Sequence, residues 1–219
     1  VKKDIVGSYK VDEKKISVVY NGIPLKDYNY NSSFDRISSE FYLKPNQHIL
    51  LYVGSGFKRK GVEEFLQIIS RLESDNILAF VIGKDKNIDH YRQLSLKLNI
   101  NNKVIFTGPR LDVDDFYTIS DVFIFPTRYE PFGNVILEAM NFRNAVFTTK
   151  QCGGGEILSE YFIMNQADDY SVVSKINDLL GNKLKLEAVK KDNRTLSKQF
   201  SIDRNLKETL NVIESLENS

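Results

Sequence analysis

DVFIFPTRYEPFGNVILEAM, residues 121–140, reads as a buried strand, a loop and a helix in direct succession. The run DVFIFP (121–126) is apolar without alternation, the pattern of a strand covered on both faces. Pro131 and Gly133 interrupt it, and Val135, Ile136, Leu137 and Met140 resume at helical spacing. Four more runs look alike: HILLYV (48–53), ILAFVIG (77–83), KVIFTG (103–108) and AVFTT (145–149). Helical patterns lie between them. Val62, Phe65, Leu66, Ile69 and Leu72 follow the first run; Tyr91, Leu94, Leu96 and Leu98 precede the third; Phe116 and Ile119 precede the fourth. Strands alternating with helices imply βαβ units, hence an α/β domain with a doubly wound, Rossmann-like parallel sheet.

The ends depart from that rhythm. Residues 169–180 and 183–217 read as helices with no strand between them, and Val172, Val173, Ile176, Leu179 and Leu180 mark one apolar face. Residues 1–24 read as a short helix, then ISVVY, then the turn NGIP; residues 25–46 contain a helix-like stretch, FDRISSEFYL. A chain that starts VKKDIVGSYK, without Met or a signal-like apolar core, is expected to begin inside a longer protein, leaving residues 1–15 poorly packed.

Composition narrows the function. The 219 residues are 42% hydrophobic and 27% charged, the mix of a globular protein with a sizeable core. Thirty Lys plus Arg against 29 Asp plus Glu leave a net charge of +1, which argues against bulk binding to nucleic acid. Cys152 is the single cysteine, so no internal disulfide forms, and His48 and His90 are the only histidines; no metal site is expected. No apolar run approaches the ~18 residues that cross a bilayer.

Two loops can carry chemistry. Glu130 precedes the helix that Gly133 and Asn134 start, and Glu138 lies one to two turns inside it. The loop leaves the carboxyl end of a strand, where open α/β sheets bind ligands, and a helix start offers N–H groups to a phosphate or a sugar hydroxyl. Each Glu also reads as an ordinary solvated carboxylate. VGSGFKRKGVEEF (53–65) likewise leaves a strand through two glycines and brings Lys58, Arg59 and Lys60 to a helix start. That is a phosphate cradle or a solvated basic turn; neither the P-loop nor the dinucleotide fingerprint is present. In FTGPR (106–110) Arg110 can lie over a planar base, or the segment is a plain turn; IGKD (82–85) offers a similar weak choice, and the glycines of CGGGE (152–156) can pass close to a phosphate or form a bare chain reversal.

Taken together these segments resemble the C-terminal domain of the retaining GT-B glycosyltransferases called group 1 or family 4. The hallmark is a pair of Glu in the setting E-x-F-G followed by L-E-A-M, here Glu130-Pro-Phe-Gly-Asn-Val-Ile-Leu-Glu138-Ala-Met. VVYNGI (18–23) resembles the interdomain linker, RKGVEEFL (59–66) the lysine-bearing phosphate loop, and residues 104–127 the base-binding region. FKRKGV, IGKDK and TTKQCG look most like lipopolysaccharide core glucosyltransferases. The resemblance implies that residues 1–24 end an N-terminal domain and link it onward, that 25–200 bind the nucleotide-sugar, and that 201–219 form a C-terminal helix. It implies catalytic roles for Glu130 on the donor sugar and for Lys60 and Arg59 on the diphosphate. It implies donor contacts from Arg110, Phe132, Gly133, Asn134 and Glu138, the last on the ribose hydroxyls. Three positions depart from the family pattern: Ser55 stands where an Arg is usual, with Arg59 as its substitute, and Arg143 and Ala145 replace a Gly and a Pro after the helix.

The implied reaction breaks a sugar–phosphate bond, and the departing diphosphate is stabilised by cations and a helix start rather than a metal. No cofactor is expected beyond the donor, a UDP-hexose. The implied acceptor is a glycan or lipid-linked glycan held by the N-terminal half, in the cytoplasm or at the inner face of the membrane with peripheral attachment of the whole protein. A GT-B epimerase, a phosphorylase-like enzyme and a non-catalytic nucleotide-sugar-binding module are the alternatives.

Overall fold

The computed structural model describes residues 2–44 and 46–217; Val1 and residues 218–219, the outermost positions of the expected 1–24 and 201–219 segments, lie outside it, as does Pro45. The five apolar runs form strands: β1 (His48–Val53), β2 (Ile77–Ile82), β3 (Val104–Gly108), β4 (Val122–Phe125) and β5 (Ala145–Thr149). Their cores are covered on both faces, as the lack of alternation implies: Leu50, Leu51, Tyr52, Ala79, Phe80, Phe123, Ile124 and Phe147 expose nothing. A sixth strand, β6 (Ile163–Met164), pairs with Thr148 and Thr149 at the edge; two residues are too few to register as a run.

All neighbouring strands are parallel, in the order β3-β2-β1-β4-β5-β6. The chain therefore winds outward from β1 to β3, returns to the middle, and winds the other way from β4 to β6. The loops that leave β1 and β4 diverge to opposite sides, and the crevice between them is where such sheets bind ligands. The sequence puts its basic loop on one of these strands and its Glu-bearing loop on the other.

The helices are α1 (Lys2–Tyr9), α2 (Tyr30–Glu40), α3 (Phe57–Lys60), α4 (Val62–Ile69), α5 (Ile88–Lys97), α6 (Val113–Ile119), α7 (Asn134–Asn141), α8 (Val172–Gly181), α9 (Lys183–Ser197) and α10 (Ile202–Glu217). The helix expected within residues 34–43 starts earlier, because Asn29 caps it by accepting from the Ser32 N–H at 3.1 Å. Helix α2 then packs on α6, where Arg36 and Ser33 both donate to the Asp115 carboxylate. The helical stretch 183–217 breaks at 198–201, where Ile23 inserts: its N–H donates to Phe200 O at 2.9 Å and its carbonyl accepts from Ile202 N–H at 3.0 Å. Ile23 is buried, whereas none of the described side chains between residues 2 and 22 is. After α7 the chain turns through Arg143 at φ 61, a left-handed conformation that glycine adopts more readily. Buried Asn144 holds that turn, donating to the carbonyls of Tyr117 and Ala139.

Candidate functional site

The loop after β1 runs over Gly54–Gly56 into the single turn α3, then reverses at Gly61. The Phe57 N–H donates to Asp85 Oδ2 at 2.7 Å, and Ser55 Oγ accepts from the Lys84 N–H at 3.1 Å, so the turn after β2 braces this loop. Gly61 has φ 80, and a Cβ there would sit 1.9 Å from Pro126 O. Only glycine lets the start of α4 lie against the end of β4. The contact continues outward: Arg59 O accepts from the Arg128 N–H at 2.9 Å and from Thr127 Oγ1 at 3.3 Å.

That seam delivers Lys60 and Arg59 to Glu130. Lys60 Nζ lies 3.4 Å and Arg59 Nη1 3.2 Å from Glu130 Oε2. Glu130 and Lys60 are largely withdrawn from solvent, at 15% and 19% side-chain exposure, while Lys58 is exposed. The Lys60 ammonium also lies 5.5 Å above the Phe125 ring. The ammonium is thereby held in place by a carboxylate and an aromatic face.

Glu130 opens the loop that ends at Gly133, the φ 83 residue capping α7; no side chain caps this helix. Its first N–H groups are therefore open to an incoming acceptor. The glycines of 152–156 are not available in the same way. The N–H groups of Gly153, Gly154 and Gly155 donate to Glu130 O, Phe132 O and Cys152 O, so that turn braces the Glu130 loop instead of cradling an anion. Buried Cys152 is part of the brace, with its Sγ 3.2 Å from Phe132 O, and burial pushes its thiol up from the ordinary range. On the outer side, Asn134 Oδ1 accepts from Asn21 Nδ2 at 2.9 Å, and Phe132 lies 6.0 Å from the Tyr20 ring. A cleft of about 660 Å³ opens there, between the 16–21 segment and Pro131, Phe132, Gly153 and Glu156. It contains Phe132 but not Lys60, Glu138 or Arg110.

Glu138 is half-buried on the second turn of α7, and its Oε2 accepts from the hydroxyl of fully buried Tyr117 at 3.1 Å. Burial raises its pKa; the Tyr117 hydrogen bond opposes that, Asp114 adds to it, and Lys26 and Lys60 oppose it. The field of Lys60 thus reaches both Glu side chains of the pair. Arg110 stands apart at the end of β3. It donates to both oxygens of Glu40 at 2.7 Å and to Asp112 at 2.8 and 2.9 Å, which raises its pKa further. Its guanidinium lies 5.2 Å from the Phe116 ring centroid.

The structure therefore joins Lys60, Arg59 and Glu130 directly, bonds Glu138 to Tyr117 instead, and ties Arg110 to Glu40 and Asp112. Residue patterns did not single out Tyr117 or Glu40, and Asp85 entered only as the end of the IGKD turn. Tyr117 reads as one more apolar residue of a short helix, and Glu40 lies 70 positions from its partner. Among the described residues no group of three His, Cys, Asp or Glu converges, and no helix is long and apolar enough to cross a membrane.

A six-stranded parallel sheet wound outward from β1 and β4, with a Lys/Arg–Glu cluster at the switch point, has the α/β architecture of one half of a GT-B fold. The chain belongs to the family "Glycosyl transferases group 1", whose model matches residues 33–196. It is 30% identical over 165 residues to the lipopolysaccharide glucosyltransferase WaaG of Escherichia coli, covering 72% of this chain and 43% of the relative. A crystal structure of WaaG superposes with a TM-score of 0.78 at 24% identity, over 90% of this chain and 55% of that one. The capsular polysaccharide glycosyltransferase CapM of Staphylococcus aureus is 28% identical over 86% of this chain and 52% of its own length. HepE of Anabaena, solved with UDP and glucose, superposes with a TM-score of 0.83 at 18% identity, over 100% of this chain and 61% of that one. The chain spans about half the length of the curated relatives it matches.

Proposed function

We propose that this chain is the donor-binding half of a retaining hexosyltransferase. It takes a sugar from a nucleotide-sugar, a UDP-hexose, for transfer to a glycan or lipid-linked glycan of a bacterial surface polysaccharide or lipopolysaccharide core. The observation that carries this reading is the contact of Lys60 and Arg59 with Glu130 beside the uncapped start of α7. A nucleotide-sugar needs cations for its diphosphate and an acceptor of hydrogen bonds for its sugar hydroxyls, side by side. In the bound state Lys60, Arg59 and the N–H groups of the Phe132–Gly133–Asn134 loop hold the diphosphate and stabilise the charge it gains on departure, without a metal. Glu130, released from part of its ion pairing, accepts from the sugar hydroxyls; it is not assigned as a nucleophile. Glu138 accepts from the ribose hydroxyls. Arg110 has its N–H fork filled by carboxylates, so it meets the base through its planar face.

In this reading residues 25–200 are the donor domain and 1–24 the end of a preceding domain and its linker. The 16–21 segment on Phe132 and Asn134 supports that division, because it borders the donor loop. The acceptor belongs to the other half, and the whole protein works in the cytoplasm or at the inner face of the membrane. The kinship with WaaG and CapM supports the acceptor class, and the UDP in HepE makes UDP the nucleotide to test first. Calorimetric titration with UDP, GDP and ADP tests the donor reading; no binding of any of them up to millimolar ligand would remove it.

A further inference from the structure

We propose that Tyr117 is a positioning residue for Glu138, fixing its carboxylate in the orientation that receives both ribose hydroxyls of the donor nucleotide. This rests on the assignment of Glu138 to the ribose. The side chain of Glu138 has three rotatable bonds and is half-buried, so left alone it would sample several rotamers. A cis diol offers two O–H donors, and one carboxylate accepts both only when its plane faces them. Tyr117 anchors one oxygen of that carboxylate. Its hydroxyl donates to Glu138 Oε2 at 3.1 Å and occupies one lone pair, leaving Oε1 and the rest of the carboxylate free of it.

The tyrosine is itself immobilised. It has no exposed surface, its ring stacks on Phe142 at 5.9 Å with 6° between the planes, and it leans on Phe123 at 5.8 Å. Its carbonyl accepts from the Asn144 side chain at 2.9 Å. A rigid donor beneath a flexible acceptor removes rotamer freedom before the nucleotide arrives, which is how preorganisation raises affinity. The phenol serves a second end, since a hydroxyl facing an ionised carboxylate stabilises the ionised form that the diol needs.

The test compares UDP with 2′,3′-dideoxy-UDP on wild type, Tyr117→Phe and Glu138→Gln by calorimetry. Wild type is expected to prefer UDP by roughly tenfold or more. Tyr117→Phe keeps the ring and is expected to lower that preference by about threefold or more, weakening UDP while leaving the dideoxy nucleotide unchanged. A role confined to packing would weaken both nucleotides alike. If wild type and Tyr117→Phe discriminate equally, the positioning role is overturned while the ribose reading stands. If wild type shows no preference, or Glu138→Gln keeps it, the ribose assignment falls and the positioning role with it. The wild-type hydrogen bond provides a measurement free of folding effects. A protected Tyr117 hydroxyl proton seen by NMR with and without UDP supports the proposal, and its loss on UDP binding would overturn it.

Discussion

At the residue scale the basic turn is not three equivalent cations. Lys58 is exposed, whereas Lys60 is held against Glu130 and above Phe125. Lys60→Ala is expected to weaken UDP binding by about one to two decades, matching roughly 1.5–3 kcal/mol for a charge-assisted phosphate contact. Lys58→Ala is expected to stay within about twofold. Equal losses in a calorimetric comparison would break the ranking. Glu138 gives a pH signature. Its carboxyl is raised above its ordinary 4.5, chiefly by burial and further by Asp114, against Tyr117, Lys26 and Lys60. The native state therefore holds that proton more tightly than the unfolded chain. The stability this gives is complete below the unfolded value and is lost as pH rises through the folded one. Glu138→Gln, which stays neutral, is expected to unfold at a higher temperature than wild type near neutral pH, with the difference vanishing below about pH 4. Melting curves across that range check it; a gap independent of pH would contradict the burial of this carboxylate.

At the element scale the decisive contact is the one between the start of α4 and the end of β4. Gly61→Ala would force a side chain into φ 80 and into Pro126 O at 1.9 Å. It is expected to lower stability by about 3 kcal/mol or more and to displace Lys60, abolishing UDP binding at concentrations that saturate wild type. A variant with wild-type denaturation and affinity would show that the seam is not what aligns the cations. Helix α10 presents the opposite case. Leu206, Leu210 and Ile213 recur along it and remain exposed at 55%, 55% and 47%. Leu206→Lys or Leu210→Lys is expected to change the stability of this chain by no more than about 0.5 kcal/mol in urea denaturation.

At the scale of the whole molecule, the loops proposed to hold the donor leave the carboxyl ends of β1, β3 and β4 in one sheet. The chain is expected to bind UDP modestly, since in the proposed reading this domain supplies one wall of the donor site. Affinity should fall with added salt, because Arg59 is half exposed and partly screened. It should not transfer sugar, since the acceptor side is assigned to the other half. Calorimetry at low and high salt checks the first points and a radiolabelled donor assay the last; clear turnover would show that the catalytic groups all lie within these residues.

The sequence by itself determined five of the six strands and which residues stood as site candidates. Doubly buried parallel strands need continuous apolar runs, so β1 and β5 were legible residue for residue in HILLYV and AVFTT. Motif spacing named Lys60, Arg59, Glu130 and Glu138, because loops at strand ends must carry their chemistry in short local order. The tertiary structure alone decided the partners. That Glu130 takes both cations, that Glu40 and Asp112 claim Arg110, and that Tyr117 lies under Glu138 depend on contacts between segments far apart in the chain. The two-residue strand β6 and the insertion of Ile23 between α9 and α10 were hidden for the same reason. Such pairings are set by the winding of the sheet and the closeness of its loops, and they leave no periodicity in either segment.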